Sequence, residues 1–299
     1  MVKSEKMPKI SGLIFSADPI KETLATAKHL LEFTDEVVVL YAGTTSQYKK
    51  FANSIHDSRI KPHYGLKIGY PEPFRHYGIG FCKYDLIAML DVDERFSSTA
   101  TAKKLLNSRE ADIYKLWRHE ITSKSSSNAI KTRQYRLFSK GSLAWRGMLH
   151  ETPRILGKVA DVPDRELNII HNTGNSINYN KLNMVFPTER PASMAVREGY
   201  VGGAFENLGF MGTLKRTLDR YSEHKRNFSM LPHDNTEIIK ELRKYGIMTY
   251  LGLDQKQGAE RTISRYSSSK TQGIDLLIKM IFDRYAENKH AKKSIGRNK

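Results

Sequence analysis

Lys9-Ile-Ser-Gly-Leu-Ile-Phe15, Glu36-Val-Val-Val-Leu40 and Tyr84-Asp-Leu-Ile-Ala-Met-Leu90 are the three stretches that decide the fold. Each is short and dominated by apolar residues, and a run that is apolar on both faces suits a strand buried in a parallel sheet. After the first, Ser16-Ala-Asp-Pro19 is a turn and helix-start signal. Ile20, Leu24, Ala27, Leu30 and Leu31 then recur at helical spacing. Gly43 ends the second stretch, and Tyr48 to Ile55 reads as another helix. Strand, helix, strand, helix, strand in this rhythm predicts a parallel sheet with helices on its faces.

Working outward, the texture changes between Asp112 and Arg154. Asp112-Ile-Tyr-Lys-Leu-Trp-Arg-His and Lys131-Thr-Arg-Gln-Tyr-Arg-Leu-Phe138 alternate polar and apolar residues, with the polar loop Thr122-Ser-Lys-Ser-Ser-Ser-Asn128 between them. Alternation of that kind predicts antiparallel strands added to the parallel core. Beyond Ser176 the chain reads as helices. Leu214, Leu218 and Tyr221 share a face, as do Ile238, Ile239, Leu242 and Tyr245, and Ile274, Leu277, Ile278, Ile281 and Tyr285 form the clearest stripe. We therefore expect an α/β domain over residues 1–175 and a basic, mainly helical region over 176–299. No stretch approaches the ~20 apolar residues that span a bilayer.

Composition narrows the function classes. The 299 residues hold 49 Lys+Arg against 32 Asp+Glu, a net charge of +17, and the pI is about 9.7. A field of that sign attracts polyanions: nucleic acid, anionic lipid headgroups or phosphorylated small molecules. A solvated, solubilising surface accounts for much of it equally well. The single Cys82 excludes an intramolecular disulfide and a cysteine zinc site. It points to a reducing compartment, most simply the cytoplasm, with the cytoplasmic face of a membrane as the variant that the basic helices suggest.

Chemistry concentrates in Leu90-Asp91-Val92-Asp93-Glu94, three carboxylates in four positions directly after an apolar strand. Ligands of open α/β sheets bind at the carboxyl ends of strands. Asp91 and Asp93 share one side of an extended chain, as a divalent cation with hard oxygen ligands and substrate phosphates needs. The competing assignment is an acidic cap on a helix running into Lys103-Lys104-Leu-Leu106. A second cluster, Trp145-Arg-Gly-Met-Leu-His150-Glu151, offers His150 as a further ligand and Glu151 as a general base. A third, Asn168-Ile-Ile-His171, places a histidine at a strand end, where a hydrogen-bonded structural role is the commoner outcome.

In order and spacing these pieces resemble the inverting glycosyltransferases of family 2, which have the GT-A fold, and look most like the branch that includes the lipopolysaccharide core transferases. The family's "D-E-I-V-V-V-D-S-G-S-T-D" is met by Asp35-Glu36-Val-Val-Val-Leu-Tyr41-Ala-Gly43-Thr44-Thr45-Ser46, and its "L-D-A-D-E" by Leu90-Asp91-Val92-Asp93-Glu94. Its "R-L-F-R" and "W-x-G-x-V-H-E" are met by Arg136-Leu137-Phe138 and Trp145-Arg146-Gly147-Met148-Leu149-His150-Glu151, and a later "I-x-H" by Ile169-Ile170-His171. The likeness spans about residues 9 to 185.

The resemblance implies a metal-assisted transferase that uses a nucleotide-sugar donor and a glycan or lipid-linked acceptor. Asp91 would contact the ribose or the metal, and Asp93 would hold the Mn²⁺ or Mg²⁺ that bridges the diphosphate. His150 would be a further metal or phosphate contact, and Arg75, in Pro73-Phe-Arg75-His76, would lie near the diphosphate. Glu151 would be the base, with Glu120 in reserve. The sequence departs from the family at two places: Tyr41 stands where an Asp usually meets the base, and Ser16-Ala-Asp18-Pro19 replaces "N-E". Tyr41 would then stack on the base and Asp18 would supply the lost polar contact, with Ser16 and Gly43 flanking them. The alternatives are a metal-dependent nuclease or nucleotidyltransferase, which the charge suits although the chain has no recognised nucleic-acid-binding motif, and a GT-A module that binds without turnover. Peripheral membrane contact through the basic C-terminal helices is the minority expectation for that region.

Overall fold

The computed structural model describes residues 7–17, 19–68, 71–122, 131–145, 152–174, 215–221, 223 and 235–296. Two compact units divide the chain. The first comprises residues 1–65, 75–145 and 152–178, and the second comprises 66–74, 146–151 and 179–299.

In the first unit, β1 (Ile10–Ser16), β2 (Glu36–Ala42), β3 (Ile60–Gly65) and β4 (Leu86–Asp91) lie parallel in the order β3-β2-β1-β4. Every residue of β1 is buried, as are the first six of β2. The β-branched and leucine side chains that marked these strands in the sequence are the core: Leu13, Ile14, Val37, Val39 and Leu90 are fully buried. Each contributes on the order of 1.5–3 kcal/mol by leaving water.

Helices α1 (Ile20–Leu31), α2 (Thr45–Asn53) and α3 (Arg75–Phe81) pack on this sheet. A capping box opens α2: Thr44 accepts from the Gln47 backbone N–H, and the Gln47 side chain accepts from the Thr44 N–H. Gly78 lets α3 approach β1, because a Cβ there would stand 2.8 Å from the Phe15 ring. Beside α3, Cys82 is buried, and burial pushes its thiol up to about 12. Thiolate is the reactive form, so Cys82 is expected to resist iodoacetamide at pH 8 in the folded protein and to react fully in denaturant. Mass spectrometry of the alkylated chain reads both.

The expected antiparallel strands are present. β7 (Lys131–Ser139) pairs antiparallel with β4 and with β6 (Ile113–Thr122), and β8 (Asn168–Gly174) runs parallel to β6 and antiparallel to β5 (Glu94–Phe96). Tyr114 pairs with Leu137 and Lys115 with Tyr135, so Arg136 is the extra residue of a bulge. Helix α4 (Thr99–Ser108) is capped by Ser98, whose Oγ accepts from the Thr101 N–H. The helix-cap alternative for Asp93 and Glu94 is thereby replaced: their carboxylates are used elsewhere.

The second unit contains a helical stretch at residues 215–221, then α5 (Asn235–Leu251), α6 (Lys256–Tyr266) and α7 (Ile274–Gly296). Leu218, Tyr221, Ile238, Leu242, Leu277, Ile278, Ile281 and Tyr285 are buried, as their spacing predicts. Tyr245 differs: it is 55% exposed. Gly246 follows it at φ +69° and kinks α5, so Tyr245 is the last residue of the helical segment that buries Ile238 and Leu242. Among the described residues, no helix is long and apolar enough to cross a membrane.

Candidate active site

Strand register assembles the site. Ser16 of β1 lies opposite Tyr41 of β2, and Phe15 of β1 lies opposite Asp91 of β4. Ser16 and Tyr41 therefore face one side of the sheet, and Asp91, in line with Phe15, stands at the next carboxyl end and faces the other side. Strands β2 and β3 lie to one side of β1 and β4 to the other, so the order reverses there, which is where open α/β sheets bind ligands.

Ser16 Oγ is 2.7 Å from Thr23 Oγ1 in α1. The Tyr41 ring is buried and stacks on Phe51, with centroids 4.5 Å apart and planes 12° from parallel. The Gly43 carbonyl, just past β2, accepts from Tyr64 Oη at 3.0 Å. Between α1 and α2 a cleft of about 720 Å³ has Ile20, Leu24 and Tyr41 among its apolar lining and Lys21, Gln47 and Lys50 among its polar lining. On α3, Arg75 is buried between the Phe15 and Trp145 rings, at 5.4 and 5.5 Å from their centroids. Its Nη1 lies 3.0 Å from Met89 Sδ.

The acidic turn after β4 is the centre of a continuous chain of ion pairs. Glu94 is fully buried, and its Oε2 accepts from the Asp91 N–H at 3.0 Å. Its Oε1 accepts from Arg136 Nη2 at 2.7 Å and from Arg118 Nη1 at 3.3 Å. Arg136 Nη2 also donates to Asp91 Oδ2. Arg118 Nη2 reaches Glu120 Oε1 at 2.6 Å. His171 closes the chain, with Nδ1 2.5 Å from Glu120 Oε2 and Nε2 3.2 Å from Asp93 Oδ2. Local sequence explains the convergence. The bulge between β6 and β7 re-aims Arg136, and strand alternation sets Arg118 and Glu120 on one face of β6. Register places His171 opposite both Glu94 and Glu120.

Charges follow from these contacts. Burial is the largest influence on Asp91 and opposes its ionisation, but Arg136, then Arg75, outweigh burial and the repulsion from Asp93. Its carboxyl is held below the usual carboxylate range. Burial likewise opposes charge on His171, yet Asp93 and Glu120 outweigh it and raise the imidazole above its ordinary value. Arg136 is also raised: burial works against its charge, and Asp91 and Glu94 overcome it. The buried Nε–H groups of Arg118 and Arg136 have no acceptor among the described residues, a demand that a water or a ligand oxygen would meet.

Among the described residues, no group of three His, Cys, Asp or Glu is placed to hold a metal. What the turn provides is a pair of carboxylates, Asp91 and Asp93. That donor set fits Mg²⁺ or Mn²⁺ shared with substrate phosphates and waters, rather than a cage built by protein alone.

Of the sequence-derived candidates, Ser16 and Tyr41 are neighbours on one side of the sheet with Gly43 just past β2, and Asp91 lies at the next strand end on the other side, with Arg75 close enough to act on it. Asp93 and Glu120 meet through His171. Both oxygens of Glu120 accept from fixed partners, which makes it a bracket rather than a ready base. Asp18, His150 and Glu151 lie outside the described residues. Sequence reasoning missed Arg118 and Arg136 as partners of the acidic turn, whereas His171 has the hydrogen-bonded role expected of it. The signal for Arg118 was its alternation with Glu120.

The sheet order and the acidic turn beside its switch point define an α/β domain with a mostly parallel sheet and added antiparallel strands, as the sequence led us to expect. No family model matches the chain, and no curated protein matches it in sequence. Solved structures do. Residues 1–349 of S. aureus TarS, in complex with UDP, match over 94% of this chain and 92% of that one, at 14% identity and a TM-score of 0.38. A 4-diphosphocytidyl-2C-methyl-D-erythritol synthase from Anaerococcus prevotii matches over 44% of this chain and 70% of that one, at 17% identity and a TM-score of 0.33. HddC from Yersinia pseudotuberculosis complexed with GMP-PN matches over 54% and 92%, at 9% identity and a TM-score of 0.36.

Proposed function

We propose that this protein is a cytoplasmic, inverting glycosyltransferase that moves a sugar from a nucleotide-diphosphate donor to a hydroxyl of a glycan or lipid-linked acceptor. The observation that supports the reading best is the acidic turn Asp91-Val92-Asp93-Glu94 at the carboxyl end of β4, beside the sheet's switch point. The sequence blocks that resemble family 2 supply the reaction class.

Asp91 and Asp93 would hold Mn²⁺ or Mg²⁺, which when bound stabilises the negative charge leaving on the diphosphate. Arg75 adds a fixed positive charge beside Asp91, and Tyr41 walls the nucleoside end. In the transfer, the bond from the anomeric carbon to the diphosphate oxygen breaks and the acceptor oxygen bonds to that carbon from the opposite face. The electron pair leaves with the diphosphate, and Glu151 takes the acceptor proton, a contribution of about 10²–10⁴-fold. The transition state is oxocarbenium-like. Arg118, Glu120 and His171 hold the acidic turn in place.

A thermal-shift screen of UDP-, GDP- and dTDP-sugars, with and without Mn²⁺, tests the reading. A ligand that binds the folded state raises Tm by mass action. One nucleotide should give a Mn²⁺-dependent rise, and when acceptor is supplied that donor's sugar should pass to the acceptor with release of the nucleoside diphosphate. Absence of any rise, beside a clear rise with oligonucleotides, would overturn it in favour of a nucleic-acid enzyme.

A further inference from the structure

Strand β5 stands last in the sheet order, so one of its edges has no partner strand. Toward β8, the Ser97 N–H donates to the Asn168 carbonyl and the Asp93 carbonyl accepts from the Asn172 N–H, each at 2.9 Å. Antiparallel alternation then turns the Phe96 N–H to the free edge. There it donates to Nε2 of His29 on α1, at 3.1 Å. One turn earlier on the same helix, Thr26 Oγ1 donates to the Val92 carbonyl and accepts from Arg95 Nη1, both at 2.6 Å. Helix α1 thus holds the backbone on both sides of Asp93-Glu94-Arg95. The His29 side chain is 16% exposed, and its ring stacks on Phe96 with centroids 6.4 Å apart and planes 28° from parallel.

We propose that His29 is a proton-operated latch on the acidic turn: neutral, it holds the outer edge of β5 against α1, and protonated, it lets that edge go. A backbone amide can only donate, so Nε2 accepts only while it carries no proton, with the ring hydrogen on Nδ1. Protonation sets two donors against each other and leaves the Phe96 N–H without its acceptor, which a folded chain tolerates poorly. Burial is the largest influence on the imidazole and opposes its charge. Glu32, whose Oε1 is 3.8 Å from Nδ1, favours the charge, and Arg95 on β5 opposes it. The balance holds His29 below its ordinary value. The released edge therefore binds a proton more readily than the latched one. Latching is complete at neutral pH and weakens as pH falls through the ordinary 6.5. The latch belongs to α1 and β5, and it stands whether or not the turn takes a nucleotide sugar.

Amide hydrogen exchange of the full chain, resolved to Phe96 and corrected for the intrinsic rate, tests it. Protection of the Phe96 amide should fall severalfold between about pH 7.5 and pH 5, with a ceiling of about thirtyfold set by an ordinary imidazole. In His29→Gln the side-chain oxygen can accept from the same N–H at either pH, so protection should not change with pH. His29→Leu offers no acceptor and should leave the amide poorly protected at both. If the variants fail a circular-dichroism check of folding, the native chain decides. Its His29 ring, followed by NMR, should titrate below 6.5, with a midpoint that coincides with the loss of protection. Equal protection at the two pH values, a fall of the same size in His29→Gln, undiminished protection in His29→Leu, or a ring that titrates at or above 6.5 would each overturn the proposal.

Discussion

Replacing Arg136 by leucine is expected to cost about 3–5 kcal/mol, the penalty for leaving buried carboxylates without their cation. Arg136 Nη2 donates to both Asp91 and Glu94, and Glu94 has no solvent exposure with which to recover the lost partner. Arg118 remains, but at 3.3 Å from Glu94 and already committed to Glu120. Arg136→Lys should recover only part of the loss, because a point ammonium cannot reproduce the planar guanidinium geometry at a bulged strand position. The informative partner is Glu94→Gln in the Arg136→Leu background. It removes the stranded charge while its amide keeps the Asp91 N–H satisfied, so the double variant should be more stable than the Arg136→Leu single. Urea denaturation of the four proteins reads the cycle. A single-variant cost below about 1 kcal/mol, the range of exposed pairs, would mean that water reaches Glu94 and that the chain of ion pairs is not a structural unit.

That unit also explains what could be read from sequence and what could not. The parallel core was legible because a strand buried on both faces must be apolar throughout, and Glu36-Val-Val-Val-Leu40 has no other comfortable place. The antiparallel addition was legible through period-two alternation in β6 and β7. The acidic turn was legible because three carboxylates after such a strand have few structural uses. Its guanidinium partners were not, since Arg118 and Arg136 come from strands whose pairing depends on a one-residue bulge between Tyr114 and Lys115. Without that register shift, alternation would assign Arg136 to the wrong face. Tyr245 keeps the helical phase of Leu242 yet is exposed, because it is the last residue before the kink at Gly246, and periodicity does not mark a φ of +69°. Tyr41 was legible as a residue of the site but not for its packing, because the stack on Phe51 brings together β2 and α2.

Asp93→Asn carries the largest functional effect. The substitution keeps shape and an amide oxygen that can accept from His171 Nε2, so the Asp93–His171 contact at 3.2 Å survives in form and Tm without ligand should move little. What is lost is a charge. Asp91 already shares one oxygen with Arg136, so on the proposed reading a cation would depend on Asp93 for its second anionic ligand. Nucleotide-dependent stabilisation by Mn²⁺ should therefore disappear, and sugar transfer should fall by about 10²–10⁴-fold, the rate equivalent of several kcal/mol of charge stabilisation. If Glu151 is the base as proposed, Glu151→Gln should behave oppositely at the binding step, keeping the Mn²⁺-dependent shift while losing turnover, because a base acts on the acceptor rather than on the donor. Calorimetry with Mn²⁺ and the nucleoside diphosphate, set beside initial rates, separates the two. Full activity in Asp93→Asn with added metal would remove the cation from the mechanism. The leaving diphosphate would then have to be stabilised by the fixed charges of Arg75, Arg118 and Arg136 alone.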